Sequence, residues 1–420
     1  MDVLPALVGV GYICGARVSS YLLGGAMLAW FVIMPMMVLF GGNTILFPAT
    51  EALSTLDPWT LWGSYVRYIG AGAVAAGGIL SLIKSLPLIV STFAKAIKGF
   101  GHAGGNERTA KDLPMKYLII GIAVLILALC LVPSIPIGPV AALLIVIFGF
   151  FFATVSARMV GLVGSSNNPV SGMAIATLLI ATTFLKATGN VGINGMTTAI
   201  CIGTIICIIA AIAGDTSQDL KTGYIIGSTP YRQQIGELIG VTCSGLTIGL
   251  VLYLFNAAWT YGSSQLPAPQ ATLMKMVVEG VMNGNLPWGL VLIGVFIAIF
   301  IEIIGIPVLP FAIGLYLPIH LSIPIMVGGL IRLFFEKRHA KNEKKKEDVI
   351  SNGILYSSGM IAGEGLVGIL LALFAVFGLD SKINLTNYGI NLGNTGGCVF
   401  FAIFVAIMIF FIAKNTKKKA

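Results

Sequence analysis

Residues 214–240, GDTSQDLKTGYIIGSTPYRQQIGELIG, place Asp215, Gln218, Asp219, Lys221, Arg232 and Glu237 in one short stretch of a chain in which only 10% of residues are charged. So much polarity in so apolar a chain has to serve a purpose or lie outside the lipid. A solvated connection at a membrane surface uses the same residue types. Elsewhere, ionisable groups in apolar surroundings are few. Glu364, in GMIAGEGLVG, stands midway along an otherwise apolar segment with glycines on either side. A charge near a bilayer centre costs several kcal/mol unless it faces a cavity or a partner, and burial raises a carboxyl's pKa toward neutrality. Glu364 is therefore the first candidate for a proton-binding carboxylate, with a protonated or serine-bonded structural role as the alternative. Glu302, in IFIEIIGIP, is a second candidate and equally reads as an interfacial anchor.

Substrate-binding candidates are Asn167, Asn168, Tyr316 and His320. Asn168 reads as a helix N-cap with Pro169 as the first helical residue, so that the free amides of the helix start can point at a carboxylate. Simple capping at the membrane surface is the rival reading. Tyr316 and His320 lie in GIPVLPFAIGLYLPIHLSIP and can line the same cavity, although a histidine beside a proline turn also serves structure alone. Lys186, near a helix end, reaches for the surface.

The elements that must position these groups follow from composition. With 57% hydrophobic residues over 420 positions and a mean hydropathy of +0.97, a soluble globule is excluded. Apolar runs of about 20 residues without period-two alternation mean helices rather than a barrel. The fold class is all-α: a polytopic transmembrane helix bundle, with spans expected near 18–40, 59–82, 116–132, 138–157, 169–188, 193–213, 233–256, 287–304, 350–378 and 396–413. Pro307, Pro310, Pro318 and Pro324 predict broken helices between 305 and 335. The formal net charge of +9 sits in loops and a tail beside apolar segments, which is the cytoplasmic charge bias of membrane proteins rather than a nucleic-acid surface. By that bias the basic connection 84–116, the loop 336–348 and the C-terminal tail are cytoplasmic. No basic n-region or cleavage site marks a signal peptide. The six cysteines show no metal-ligand spacing and read as packing residues.

A weak internal repeat adds organisation. An offset of 304 lays Tyr12 on Tyr316, Gly24-Gly25 on Gly328-Gly329 and Phe31 on Phe335. With an offset of 289, Gly70 meets Gly359 and Ala73 meets Ala362. The chain then divides into 1–133, the C-terminal part of a first repeat; 134–304, helices leading into a second repeat and containing 214–240; and 305–420, the C-terminal part of the second repeat. The helices of 138–304 have no counterpart ahead of the first copy, so the chain is expected to lack an N-terminal block of about that length. Charge bias orients the two copies oppositely, an inverted arrangement typical of alternating-access carriers.

The 214–240 segment closely resembles the hallmark sequence of the oligopeptide transporter (OPT) family. SSNNPVSGMAIATLL at 165–179, LPFAIGLYLP at 309–318, GMIAGEGLVGILLA at 359–372 and PALVGVGYICGARVSSYLLGG at 5–25 also resemble family segments, in family order. The resemblance is to the bacterial and yellow stripe-like branch, since no Lys-Ile-Pro-Pro-Arg run is present. It implies a proton-coupled secondary transporter of small oligopeptides or metal chelates in the cell membrane, with the C-terminus cytoplasmic. By analogy, Asp215, Gln218, Asp219, Lys221 and Glu237 form a gate or ion-coupling patch. The partners are then the lipid bilayer, a peptide or chelate substrate and protons; a homo-oligomer stays open. No resident metal or cofactor is implied. A channel, or a membrane subunit that works only with another chain, remains the alternative. An intramembrane protease lacks the second intramembrane aspartate it needs, and no HExxH, Walker A or Gly-x-Ser-x-Gly pattern offers other enzyme chemistry.

Overall fold

The structure is a computed structural model that describes residues 4–99, 107–133, 135–163, 170–263, 265–266, 268–284, 287–383, 387, 389 and 393–417. It is all-helical over the described residues, apart from one isolated bridge between Ile45 and Ala52. In chain order the helices are α1 Pro5–Met27, α2 Met34–Gly41, α3 Pro58–Leu61, α4 Arg67–Gly99, α5 Met115–Leu131, α6 Pro139–Val163, α7 Val170–Ala187 and α8 Gly192–Ile226. They continue as α9 Pro230–Ala258, α10 Pro269–Asn283, α11 Trp288–Ile303, α12 Val308–Tyr316, α13 Ile319–Arg338, α14 Glu343–Val376, α15 Asp380–Ile383 and α16 Gly393–Lys417. Single π-helical segments, Leu28–Ile33 and Trp62–Val66, join α1 to α2 and α3 to α4. Among the described residues, seven helical rods are long and apolar enough to cross a membrane.

The chain forms two compact units. The first contains residues 1–74, 250–267 and 287–420. At its centre lies α1, packed by α12, α13 and α14. The α1–α13 crossing is closer than side chains allow: a Cβ on Gly11 would sit 1.8 Å from the Ile325 carbonyl oxygen, and one on Gly328 would sit 1.9 Å from that of Val8. Small residues here let two backbones touch, the packing that replaces the hydrophobic effect between helices in lipid. Val8, Tyr12, Ile331, Phe335, Val349 and Met408 form its buried cluster.

The second unit contains residues 75–249 and 268–286. Here α8 is central, flanked by α6, α7 and α10. Ile145, Val155, Met173, Ile202, Ile206 and Val278 belong to its core.

Several boundaries differ from the sequence reading for physical reasons. The first rod starts at Pro5 instead of near 18, because the apolar run 4–15 is itself helical and is joined to the rest across Gly15. The polar run at 214–226 continues α8 as helix to Gly227, which closes it with a left-handed φ of 73°. Charge decides where a segment meets water, whereas helix propensity is indifferent to it. The stretch between the spans expected at 233–256 and 287–304 contains α10, which buries Leu273, Val278 and Met282 and keeps Lys275 and Glu279 outside, 3.6 Å apart. Lys344 to Lys346, read as loop, occupy the first turn of α14, capped by the Asn342 side chain. The interruption expected at 305–335 is present, between α12 and α13 at Leu317 and Pro318.

Candidate functional site

The hallmark residues are built on the α8–α9 hairpin of the second unit. Helix α8 has 35 residues and, at 1.5 Å each, runs about 50 Å, well beyond a hydrocarbon core of about 30 Å. Residues 192–213 alone are long enough to cross, and Asp215, Gln218, Asp219 and Lys221 follow them in the last turns. All four are exposed. Across the hairpin, Glu237 lies on α9 within hydrogen-bond reach of Thr216 and Asp219. Gln233 donates to the Asp219 backbone carbonyl at 3.2 Å and to its carboxylate at 3.3 Å, lying flat on Gly223, where any Cβ would collide with it. The structure thus brings Asp219 and Glu237 near each other across the hairpin.

The basic connection closes over this turn. Arg108 donates to the Gly227 carbonyl and to Thr229 Oγ1, both at 2.8 Å, which sets a cation on the carbonyl end of α8 where the helix dipole favours it. The Gln234 side chain takes the Leu113 amide at 2.9 Å and donates to Asp112 at 3.2 Å. Arg108 and Asp112 were not singled out by the sequence reading, since nothing in their spacing ties them to a segment more than a hundred residues away.

The remaining candidates lie in the first unit. Glu364 accepts the Ala6 amide at 2.6 Å, so this carboxylate docks on the amino-terminal end of α1, whose first-turn amides have no intrahelical acceptor. Glu302 sits in the last turn of α11, partly buried. Tyr316, 2% exposed, ends α12, with its hydroxyl in hydrogen-bond reach of Arg67. His320, two residues past Pro318 in the first turn of α13, packs edge-on against Trp59, with ring centroids 5.4 Å apart. Asn167 and Asn168 lie outside the described residues.

Two features escaped the sequence reading. Helix α1 is broken at Gly15, whose φ of 82° and ψ of 167° no L side chain adopts comfortably. The carbonyls that end its first half, Tyr12 and Ile13, accept from Arg332 Nη1 at 3.3 and 2.7 Å, while Arg332 Nε donates to Glu336 at 2.8 Å. A guanidinium inside an apolar segment was the available signal. The second is aromatic: Trp59 stands 5.2 Å from Trp30 and 6.4 Å from Trp62, and Arg67 lies over the Trp62 ring at 5.7 Å. Trp30 Nε1, Trp62 Nε1 and Arg67 Nε are buried donors without an acceptor in the structure, each a cost of about 1–3 kcal/mol when left unmet.

A cavity of about 400 Å³ lies between α7, α8 and α10, lined by Ala174, Leu178, Ile200, Thr204 and Met274 among others. Its apolar wall suits an acyl chain or an apolar side chain and offers little to a charged group. Among the described residues, no group of three or more His, Cys, Asp or Glu side chains gathers where it could hold a metal ion.

Helical rods long enough to span, a helix broken at mid-length and polar groups inside apolar segments define a polytopic membrane protein with interrupted helices. The family model of the OPT oligopeptide transporter protein matches residues 1–375, and the chain belongs to that family. It is 30% identical to the Haemophilus influenzae protein named "Putative oligopeptide transporter", over 96% of this chain and 71% of that one. It is 23% identical to the Oryza sativa protein named "Probable metal-nicotianamine transporter YSL11", over 91% of this chain and 57% of that one. An Arabidopsis thaliana protein named "Probable metal-nicotianamine transporter YSL6" is 24% identical over 91% of this chain and 60% of its own length. The chain therefore spans less than two thirds of these plant relatives.

Proposed function

We propose that this chain carries small peptides, or metal chelates of a peptide-like ligand such as nicotianamine, across a membrane by alternating access, drawing on a proton gradient. The observation that carries the proposal is the packing of one interrupted helix on another in the first unit: α1, broken at Gly15, against the α12–α13 pair, broken at Leu317 and Pro318. Interrupted helices expose backbone amides and carbonyls at bilayer depth, and such groups are tolerated only beside protein or a polar cavity. The 304-residue offset moves Gly15 onto Ile319, the first residue of α13, which supports reading the two breaks as repeat-related. In this reading Glu364 of α14, which accepts the Ala6 amide at the start of α1, couples protonation to movement of that helix, with Glu302 as the second candidate. Asp215, Gln218, Asp219, Lys221 and Glu237 form a gate on the cytoplasmic side, where the basic connection bonds to Gly227, Thr229 and Gln234 of the same hairpin. The absence of an ATP-binding motif in the sequence favours an ion gradient as the driving force.

The test is uptake by the purified chain in proteoliposomes, with labelled trialanine and labelled iron–nicotianamine as probes and an inward pH gradient imposed. Accumulation above the outside concentration that collapses with a protonophore supports the proposal. Equilibration that ignores the gradient indicates a channel.

A further inference from the structure

We infer that Trp30, Trp62 and Arg67 form a binding site for the carboxylate of the transported solute, and that Trp59 covers it in the conformation described here. The inference rests on the carrier reading and deepens it by naming the ligand group. Two indole N–H groups and one guanidinium N–H of this cluster, Trp30 Nε1, Trp62 Nε1 and Arg67 Nε, are buried without an acceptor. Buried polar groups in native proteins are nearly always paired, so three unmet donors in one aromatic cluster mark a place that a ligand completes. The ligand must present acceptors and no competing donor, and it must tolerate a cation beside it. A carboxylate does all three, and arginine is the side chain best shaped to take one. Among the described residues, no carboxylate side chain pairs with Arg67 within ion-pair distance.

The surroundings agree. Trp30 and Trp62 each sit in a π-helical segment, Leu28–Ile33 and Trp62–Val66, a local widening that recurs at functional sites. Arg67 follows the second directly. Tyr316 meets Arg67 from α12 and His320 meets Trp59 from α13, so both sides of the α12–α13 break reach the cluster. Trp59 touches Trp30, Trp62 and His320 edge-on yet is 52% exposed, the position of a cover. The C-terminal carboxylate of a peptide and a carboxylate of a chelator offer the same chemistry.

Three of the chain's five tryptophans lie in this cluster, so intrinsic fluorescence reports on it directly. The purified chain in detergent is titrated with trialanine, with trialanine amide, which lacks only the carboxylate, and with nicotianamine. The expected result is a saturable emission change for trialanine and nicotianamine, with the amide at least ten-fold weaker. Arg67→Gln and Trp62→Phe should each erase that preference, Arg67→Lys should restore part of it, and Trp259→Phe should leave it intact. Equal binding of acid and amide, or an unchanged preference in well-folded Arg67→Gln, overturns the site. So does emission that answers only to brominated lipid, which would make the cluster an interfacial belt. Acid-selective binding without gradient-driven uptake would keep the site and remove the carrier reading; uptake indifferent to Arg67→Gln and Trp62→Phe would do the reverse.

Discussion

Glu364 has one contact that any account of it must respect, the Ala6 amide at 2.6 Å. A glutamine there keeps an acceptor for that amide but cannot exchange a proton. Glu364→Gln should therefore leave the thermal unfolding midpoint in detergent nearly unchanged while reducing gradient-driven uptake at least ten-fold; full uptake would reduce Glu364 to a tie between α14 and α1. Asp57 shows the same logic where water is the solvent. It caps α3, the short helix carrying Trp59: its carboxylate accepts from the Thr60 hydroxyl and from the amides of Trp59, at 2.9 Å, and Thr60. Those bonds, led by the Thr60 hydroxyl, hold its pKa below the ordinary 3.8. A carboxyl lowered on folding stabilises above its unfolded pKa and loses that contribution as pH falls through the folded value. Tryptophan emission should therefore be flat above about pH 4 and drift only at more acid pH, and Asp57→Asn should weaken that acid drift.

Among the elements, α1 carries the most information. Gly15→Ala forces a side chain into a glycine-only conformation, at about 1–3 kcal/mol, and should lower the unfolding midpoint and slow uptake together. Arg332→Ala strips the cation from the Tyr12 and Ile13 carbonyls and leaves Glu336 unpaired, so it should destabilise more than Glu336→Gln does. Thermal unfolding of the three variants in one detergent checks the order. These features also mark where sequence reasoning stopped. Long apolar runs such as those of α6 and α16 were legible because the bilayer imposes a length that sequence must match, and the prolines at 307–324 announced a break. Gly15 announced nothing, being one of 52 glycines and set apart only by its backbone angles. Helix α10 hid because a short amphipathic helix in a polar stretch looks like a loop. The hallmark segment read correctly as polar, whereas its continuation of α8 as helix to Ile226 was not legible, because polar residues favour a helix about as readily as apolar ones do. Tyr316 and His320 were legible as candidates, whereas the tryptophans around them were not: Trp30 and Trp59 meet across a loop that no periodicity predicts.

For the molecule as a whole, the charge pattern and the contacts of the second unit point the same way. Arg108, in the basic connection, bonds to Gly227 and Thr229 of the hallmark turn, so the two share one side of the bilayer whatever that side is. The proposed orientation adds that the loop after α13 shares it too. Cysteine placed at Lys95 and at Lys344 in a cysteine-free background should react with an impermeant maleimide only after the cytoplasmic face is opened; reaction of the two from opposite faces would undo the orientation, and the inverted repeat with it. The apolar helices agree with a lipid setting: α9 has no buried residue over its 29 residues, and Leu246, Leu250 and Tyr253 are each more than 70% exposed, a surface that only lipid or another apolar partner accepts. Solute movement is the claim on which the rest depends, and concentrative uptake into proteoliposomes measures it most directly. With the inside buffered alkaline and the outside acid, labelled trialanine or iron–nicotianamine should rise several-fold above its outside concentration and fall back when a protonophore is added. Vesicles that never exceed the outside concentration of either solute, with the protein folded and inserted, would contradict the account.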